Sequence, residues 1–417
     1  MIAEAEGATE GTPRRRGWWF QFPAPLREVA WVRLVGSIGA GGVLYLTPMV
    51  FHQQAFSAAS VTQGVALAAL AGTGGRFLSG WLLDRGLNCS VPVLLAALTA
   101  LLADVRLLGA LDLPAYLQGQ LLMGVSMGLY WPAIELAVPL SCQQGAHTIP
   151  SARGYALVRS ADAAGIATGA LLGAGLAAAG QLRWIYGVDM VCLAAMALLL
   201  VLRPLPNPKR RAVGSGLELG SGWWRPLLPV LAVALLATAL PALMQSALPL
   251  DLVRGGLERQ ALPESVGALL IGLKLGLLLL IQWPVGQALA RRPVRVGLGL
   301  SLAAFALGTG LLGASALSGA GLVLVLLAQI PLAFGEAAFL PVASEAVVEI
   351  TPPQHRGLAM ALFSQCFALS ALTAPLLAGL ALDRQGHGVG VWFTAAALCL
   401  GGQLLVQRIR PRSLEAA

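Results

Sequence analysis

The sequence predicts an all-α integral membrane protein of twelve transmembrane helices arranged as two halves of six. Three observations carry this. Of the 417 residues, 57% are hydrophobic and only 11% are charged, whereas a soluble domain carries about 25% charged residues. Twelve apolar runs follow one another with no alternation of apolar and polar positions, which selects helices over a barrel. One long polar interruption, from Arg203 to Arg225, divides the runs six and six.

A span needs ~20 apolar residues. The first run, 31–50, follows a stretch at 1–30 that holds Arg14, Arg15 and Arg16, then Trp18, Trp19 and Phe20. Pro23, Pro25, Arg27 and Glu28 interrupt its apolar character, and no small-residue cleavage site follows, so it reads as a tail with an interfacial aromatic anchor and not as a leader. Span 1 has a face of small residues, Gly36, Gly39, Gly41 and Gly42, and Pro48 near its end. Spans 2 to 6 fall at 61–80, 91–108, 115–137, 154–179 and 185–202. Within span 5, Gly165, Gly169 and Gly173 recur every fourth residue. Such faces let helices approach closely and are expected to let the two halves slide on each other.

The segment 203–225 holds Pro204, Pro206, Pro208, the cluster Lys209-Arg210-Arg211 and Gly214-Ser-Gly, a linker composition. It separates a first bundle at 31–202 from a second at 226–407, and a short tail follows at 408–417. The second six spans fall at 226–247, 263–288, 294–314, 320–347, 356–381 and 390–407. Pro241 interrupts span 7 as Pro48 interrupts span 1.

Basic residues set the orientation. Of the 27 Lys and Arg residues, 20 fall at one face, Arg33 and Arg76 among them, five at the other, and two, Arg159 and Lys274, within spans. That bias places both termini in the cytoplasm and the chain in a cell or inner membrane. It also accounts for the net charge of +8 without nucleic acid. The five cysteines are scattered and never form CxxC, and the four histidines fall near loops. Neither a disulfide framework nor a metal site is expected, and no cofactor is expected.

The halves repeat each other. Gly80 and Arg85 match Gly286 and Arg291 at an offset of 206. Trp131-Pro132 matches Leu340-Pro341 at 209, and Arg153-Gly154 matches Arg356-Gly357 at 203. Arg33 and Pro48 match Arg225 and Pro241 at 192 and 193, and the polar segment from Asp251 to Glu264 supplies the difference.

Between spans 2 and 3 stands Gly80-x-x-x-Asp84-Arg85-Gly86. This resembles the helix 2–3 loop of the major facilitator superfamily, with Gly86 one residue early and the following basic residue replaced by Leu87 and Asn88. Pro341, Pro352, Arg356-Gly357, Ala374-Pro375-x-x-x-Gly379 and Asp383-Arg384-x-Gly386 extend the resemblance through spans 10 and 11. It implies two pseudo-symmetric six-helix bundles around a central cavity, the arrangement for which this superfamily is the standard example. It also implies that helices 1, 2, 4, 5, 7, 8, 10 and 11 line the cavity while 3, 6, 9 and 12 pack outside.

A charge at mid-membrane costs ~2.5–3.5 kcal/mol on insertion scales, so it should face a cavity or a partner. The deep charges are Glu135, Arg159, Asp162, Lys274 and Glu336, all on helices that the resemblance places at the cavity. Asp104, Arg106 and Asp189 fall near the ends of the supporting helices. Lys274 and Glu336 either bind an ionised solute or a proton, or form a fixed ion pair. Arg159 and Asp162, spaced i and i+3, share a helix face and are expected to neutralise each other. Glu135 reads as a gating residue. Arg76 either grips a carboxylate or extends to the headgroups. Gln245 and Gln282 are uncharged polar candidates for the cavity wall, and Tyr45, Tyr130 and Trp131 are aromatic ones.

The remaining gating candidates are Gly80, Asp84, Arg85, Arg153, Gly286, Arg291, Glu345 and Arg356, with Glu345 expected to pair with Arg291 or Arg292. No phosphate-binding GxxxxGK[ST] occurs, and neither HExxH nor GxSxG is present, so neither ATP hydrolysis nor an enzyme is expected. The expectation is a monomeric secondary transporter of a small solute in the lipid bilayer, with a proton as the candidate coupling ion. Efflux of amphipathic or drug-like molecules leads, and uptake of a small organic anion is the alternative. Gln120 before Gly124, and Ala170 and Ala174 after Gly169 and Gly173, depart from the drug-antiporter pattern. A non-transporting assembly factor or sensor is the alternative of another class.

Overall fold

The computed structural model describes residues 18–144, 149, 151–207, 222–289, 292–352 and 356–409. Most of the expected linker, and Arg291 among the gating candidates, lie outside the described residues. Among the described residues, twelve long helices follow one another: α1 (Ala24–Gln53), α2 (Ala58–Asp84), α3 (Ser90–Gly109), α4 (Leu113–Cys142), α5 (Ser151–Ala178), α6 (Ile185–Leu202), α7 (Leu228–Arg254), α8 (Glu264–Leu289), α9 (Val294–Ser315), α10 (Gly321–Ile350), α11 (Arg356–Gln385) and α12 (Val389–Gln407). Among the described residues, eleven of these helices are long and apolar enough to cross a membrane. The chain is a multi-span membrane protein.

Several helices outrun their apolar runs. α1 begins at Ala24 and not at 31, because Pro25 in the first turn is compatible with a helix start and Arg27 and Glu28 are good helix formers. An apolar count measures the hydrocarbon, not the helix. Pro48 and Pro241 lie inside α1 and α7, where membrane helices tolerate them.

The packing order repeats between halves. α1 packs on α5 and α6, α2 on α4, and α3 on α4 and α6. Six helices later, α7 packs on α11 and α12, α8 on α10, and α9 on α10 and α12. The halves meet through α2 with α11, α5 with α8, and α1 with α7. The first two contacts exchange under the pseudo-twofold and the third maps onto itself. This is the paired six-plus-six architecture that the sequence predicts.

The glycine faces act within one half. A methyl group on Gly165 or Gly169 of α5 would overlap the α1 backbone at Leu34 or Ile38, and one on Gly128 of α4 would overlap Gly72 of α2. The α1 and α5 faces, expected to slide between halves, instead lock two helices of the first half together. Small residues remove the side chains that keep backbones apart, and the nearest available backbone belongs to the same bundle.

Candidate functional site

One polar cluster spans the seam between the halves. Lys274 on α8 is 2% exposed and forms an ion pair with Glu336 on α10. The Glu336 side chain remains 25% exposed, so the carboxylate is the reachable member of the pair. Tyr45 of α1 stands near both charges and near Gln245 on α7. The cluster therefore joins the first half, through Tyr45, to three helices of the second. It offers a cation, an anion, an amide and a phenol at one place. Gln282 is half-buried eight residues beyond Lys274, about 12 Å along the axis, and lies outside the cluster.

A second cluster lies inside the first half. Arg33 of α1 is buried and bonds Asp162 of α5 at 2.9 Å. Ser37, one turn along α1, donates to the same carboxylate at 2.6 Å. The Arg33 guanidinium also lies over the Trp131 ring at 4.0 Å and near the Tyr130 ring at 5.2 Å. Arg159 pairs instead with Glu135 of α4 at 3.4 Å, and both side chains are more than a third exposed. The expected Arg159–Asp162 neutralisation is thus replaced by two cross-helix pairs. The reason is the early start of α1, which carries Arg33 about two and a half turns into the helix and away from the membrane face where the charge count put it. Glu135 is also tied to α5 through its carbonyl, which accepts from Tyr155 at 3.1 Å.

Arg76 of α2 is half-buried and makes no ion pair or hydrogen bond with a described residue. Arg85, just past the end of α2, lies over the Trp81 ring of that helix at 3.6 Å. Arg153 donates to Gln21 at 3.1 Å and sits 5.3 Å from the Phe22 ring, so it fixes the start of α5 to the chain before α1. Glu345 is exposed and makes no ion pair with Arg292; its other expected partner, Arg291, lies outside the described residues. A methyl group on Gly80 or Gly286 would meet open space, so neither glycine brings helices together here. Asp84 ends α2 and Arg356 begins α11.

The contact that does join the halves at one end was not on the sequence's list of gates. Asp383, near the end of α11, accepts from the amides of Ala58 at 2.9 Å and Ala59 at 2.7 Å, the first turn of α2. Arg254, the last residue of α7, donates to the same carboxylate at 2.9 Å. A carboxylate here meets unpaired amides and the positive end of the helix dipole. The available signal was Asp383-Arg384-x-Gly386, a run of the same form as Asp84-Arg85-Gly86 but placed at the end of α11. Towards the opposite end, a groove of about 550 Å³ opens between α2, α7 and α11, with Leu70, Leu231 and Leu369 on its walls and only Thr73, Gln365 and Cys366 as polar relief. The halves are latched at the end where α1 passes to α2.

Two further buried charges belong to the supporting helices. Asp104 of α3 is fully buried and Asp189 of α6 is 3% exposed. Both fall near the ends of their helices, as the sequence indicates, yet their side chains are turned inward. In the second half, buried Asp251 pairs with Arg259 at 2.9 Å and accepts from Trp392 at 3.0 Å. Among the described residues, no three His, Cys, Asp or Glu side chains gather as metal ligands.

Residues 227–416 match the family model of the Major Facilitator Superfamily. Solved structures are similar over almost the whole chain. A POT family transporter in complex with 5-aminolevulinic acid is 12% identical with a TM-score of 0.77, covering 94% of this chain and 97% of that one. The nucleoside transporter NupG is 13% identical with a TM-score of 0.75, covering 93% and 99%. A peptide transporter POT in complex with sulfate is 14% identical with a TM-score of 0.75, covering 95% and 96%. No curated protein sequence matches the chain.

Proposed function

We propose that this chain, whose second half matches the family model of the major facilitator superfamily and whose fold is that of the similar transporters, is a member of that superfamily and a secondary active transporter of a small solute working by alternating access. The bundles at 31–202 and 226–407 are the moving bodies, joined by the linker at 203–225. The observation that carries the reading is the seam cluster. Tyr45, Gln245, Lys274 and Glu336 come from both halves and lie between them. A solute bound there touches both bodies, and a rocking motion transfers its exposure from one face to the other. The latch of Asp383 on α2 supports one end state of that cycle.

Export of small amphipathic molecules is the favoured direction. The apolar groove between α2, α7 and α11 suits the hydrocarbon part of such a molecule, and the seam cluster suits its polar end. Uptake of a small organic anion is the second reading. It rests on Arg76, whose guanidinium is without a described partner, and on the POT family transporter in complex with 5-aminolevulinic acid, a similar fold. A non-transporting sensor would not need charges at the seam. The bias of Lys and Arg supports a cytoplasmic side for both termini, and the proposed working unit is a monomer.

Reconstitution into vesicles under an imposed pH gradient tests this, with a panel of solutes and recorded proton movement. The reading expects uphill movement of at least one solute, lost in Lys274→Met and in Glu336→Gln. Full activity in both variants would remove the seam cluster from the site.

A further inference from the structure

Asp104 and Asp189 face each other across the packed surfaces of α3 and α6, within hydrogen-bonding reach. Neither oxygen of Asp104, nor Oδ1 of Asp189, has a hydrogen-bond donor from the described protein atoms. Neither carboxyl forms an ion pair among the described residues. Two carboxylates in an apolar interior cannot both be ionised at contact distance, and a buried charge without a partner is expensive. With no donor from the described protein atoms at Asp104, a hydrogen carried by the pair itself is what satisfies both carboxyls. Gly39 of α1 makes the room: a methyl group there would overlap the Asp189 carboxylate.

The pair has a route to the rest of the half. Asp189 lines a cavity of about 100 Å³ whose other walls include Arg33, Asp162, Tyr130 and Trp131. That volume takes about three waters at ~30 Å³ each, and its polar walls give them partners. The surrounding groups leave the pair uncompensated. Tyr186 and Cys192 face it from α6. Arg183, in the turn before α6, donates to the Ala110 carbonyl. On α4, Tyr116 donates to the Val61 carbonyl at 2.6 Å. Across the cavity, Arg33 from α1 is already neutralised by Asp162 from α5.

We propose that Asp104 and Asp189 form a proton-binding site inside the first half, a carboxylic acid hydrogen-bonded to a carboxylate. The proton comes from a hydronium ion, which leaves as water, and the carboxylate oxygen gains the O–H bond. The cavity wall at Asp189 is the point of entry. The site is separate from the seam cluster and lies on helices that do not line the seam. It deepens the transporter reading by giving the first half its own coupling proton, but proton binding itself does not depend on any solute being carried.

Infrared spectroscopy of the purified full-length protein in detergent at neutral pH tests it, with ¹³C-carboxyl aspartate as the probe. The expected result is a protonated-acid carbonyl band that moves with the label in the wild type. It disappears in Asp104→Asn and in Asp189→Asn, and it persists in Lys274→Met. No label-sensitive acid band in the wild type would overturn the site, and this holds even if a variant fails to fold. A band unchanged in both aspartate variants would overturn it as well. Absence of transport with the band present leaves the site standing and removes the transporter reading instead.

Discussion

Arg254 and Asp383 meet at 2.9 Å at the end of the molecule where α7 and α11 finish, and the same carboxylate caps α2 of the opposite half. One side chain therefore holds three helices and both bundles. Its bonds are charge-assisted, and both partners are only partly exposed, at 18% and 25%. Such bonds are stronger than neutral ones but are weakened by solvent access.

Replacing the carboxylate by an amide tests the latch. Asp383→Asn keeps the shape, loses the charge, and can accept with only one oxygen. A loss of ~1–2 kcal/mol shifts a two-state equilibrium by a factor of about 5–30. Spin labels on the ends of α2 and α11 should report a longer distance population in Asp383→Asn, and Arg254→Gln should move the same way. Identical distance distributions in wild type and both variants would show that the contact does not hold the halves.

The seam ion pair predicts an asymmetric stability pattern. Lys274 is 2% exposed, while the Glu336 side chain is 25% exposed. Glu336→Gln strands a buried ammonium, which costs ~3–5 kcal/mol when a buried pair is broken. Lys274→Met leaves a carboxylate that water can reach, so its cost should be smaller. The double variant, Lys274→Met with Glu336→Gln, should regain stability without regaining transport. Thermal unfolding in detergent orders the three, and equal losses for the two single variants would contradict the burial difference.

The twelve helices were legible because nearly all are built on a run of ~20 apolar residues set off by polar turns. Lys274 and Glu336 stood out for the same reason, as single charges deep in apolar runs. What the sequence hid was depth and direction. Arg33 counted as a face residue because its apolar run begins at Trp31, yet α1 had already started at Ala24. Asp104 and Asp189 lie near helix ends, where water is the default partner, and only the packing of α3 on α6 turns them inward. Asp383 and Ala58 are 325 residues apart, a separation that no local pattern encodes.

Glycine positions separate a motif from a contact. Gly80 belongs to the recognisable loop, yet a methyl group there meets nothing within 4 Å. Gly128 belongs to no motif, yet a methyl group there would overlap the backbone of Gly72, Gly75 and Arg76. Gly128→Ala should therefore cost ~1–3 kcal/mol through overpacking, and Gly80→Ala should be neutral or gain up to ~1 kcal/mol from helix propensity. Comparing the melting temperatures of the two purified variants with the wild type decides this, and a more damaging Gly80→Ala would place the close contact at the motif instead.

The partners of Asp162 give the last prediction. Arg33 bonds it at 2.9 Å and lies against Trp131, while Arg159, three residues away on the same helix, bonds Glu135. A double-mutant cycle between Arg33→Gln and Asp162→Asn should show a coupling of ~0.5–3 kcal/mol, the range for residues in contact. The cycle between Arg159→Gln and Asp162→Asn should show almost none. Arg33→Lys should recover little of the loss in Arg33→Gln, because an ammonium lacks the planar face that stacks on Trp131. If Arg159 and Asp162 prove to be the coupled pair, then Arg33 faces the membrane surface as its apolar run implies, and the cavity in the first half loses its cationic wall.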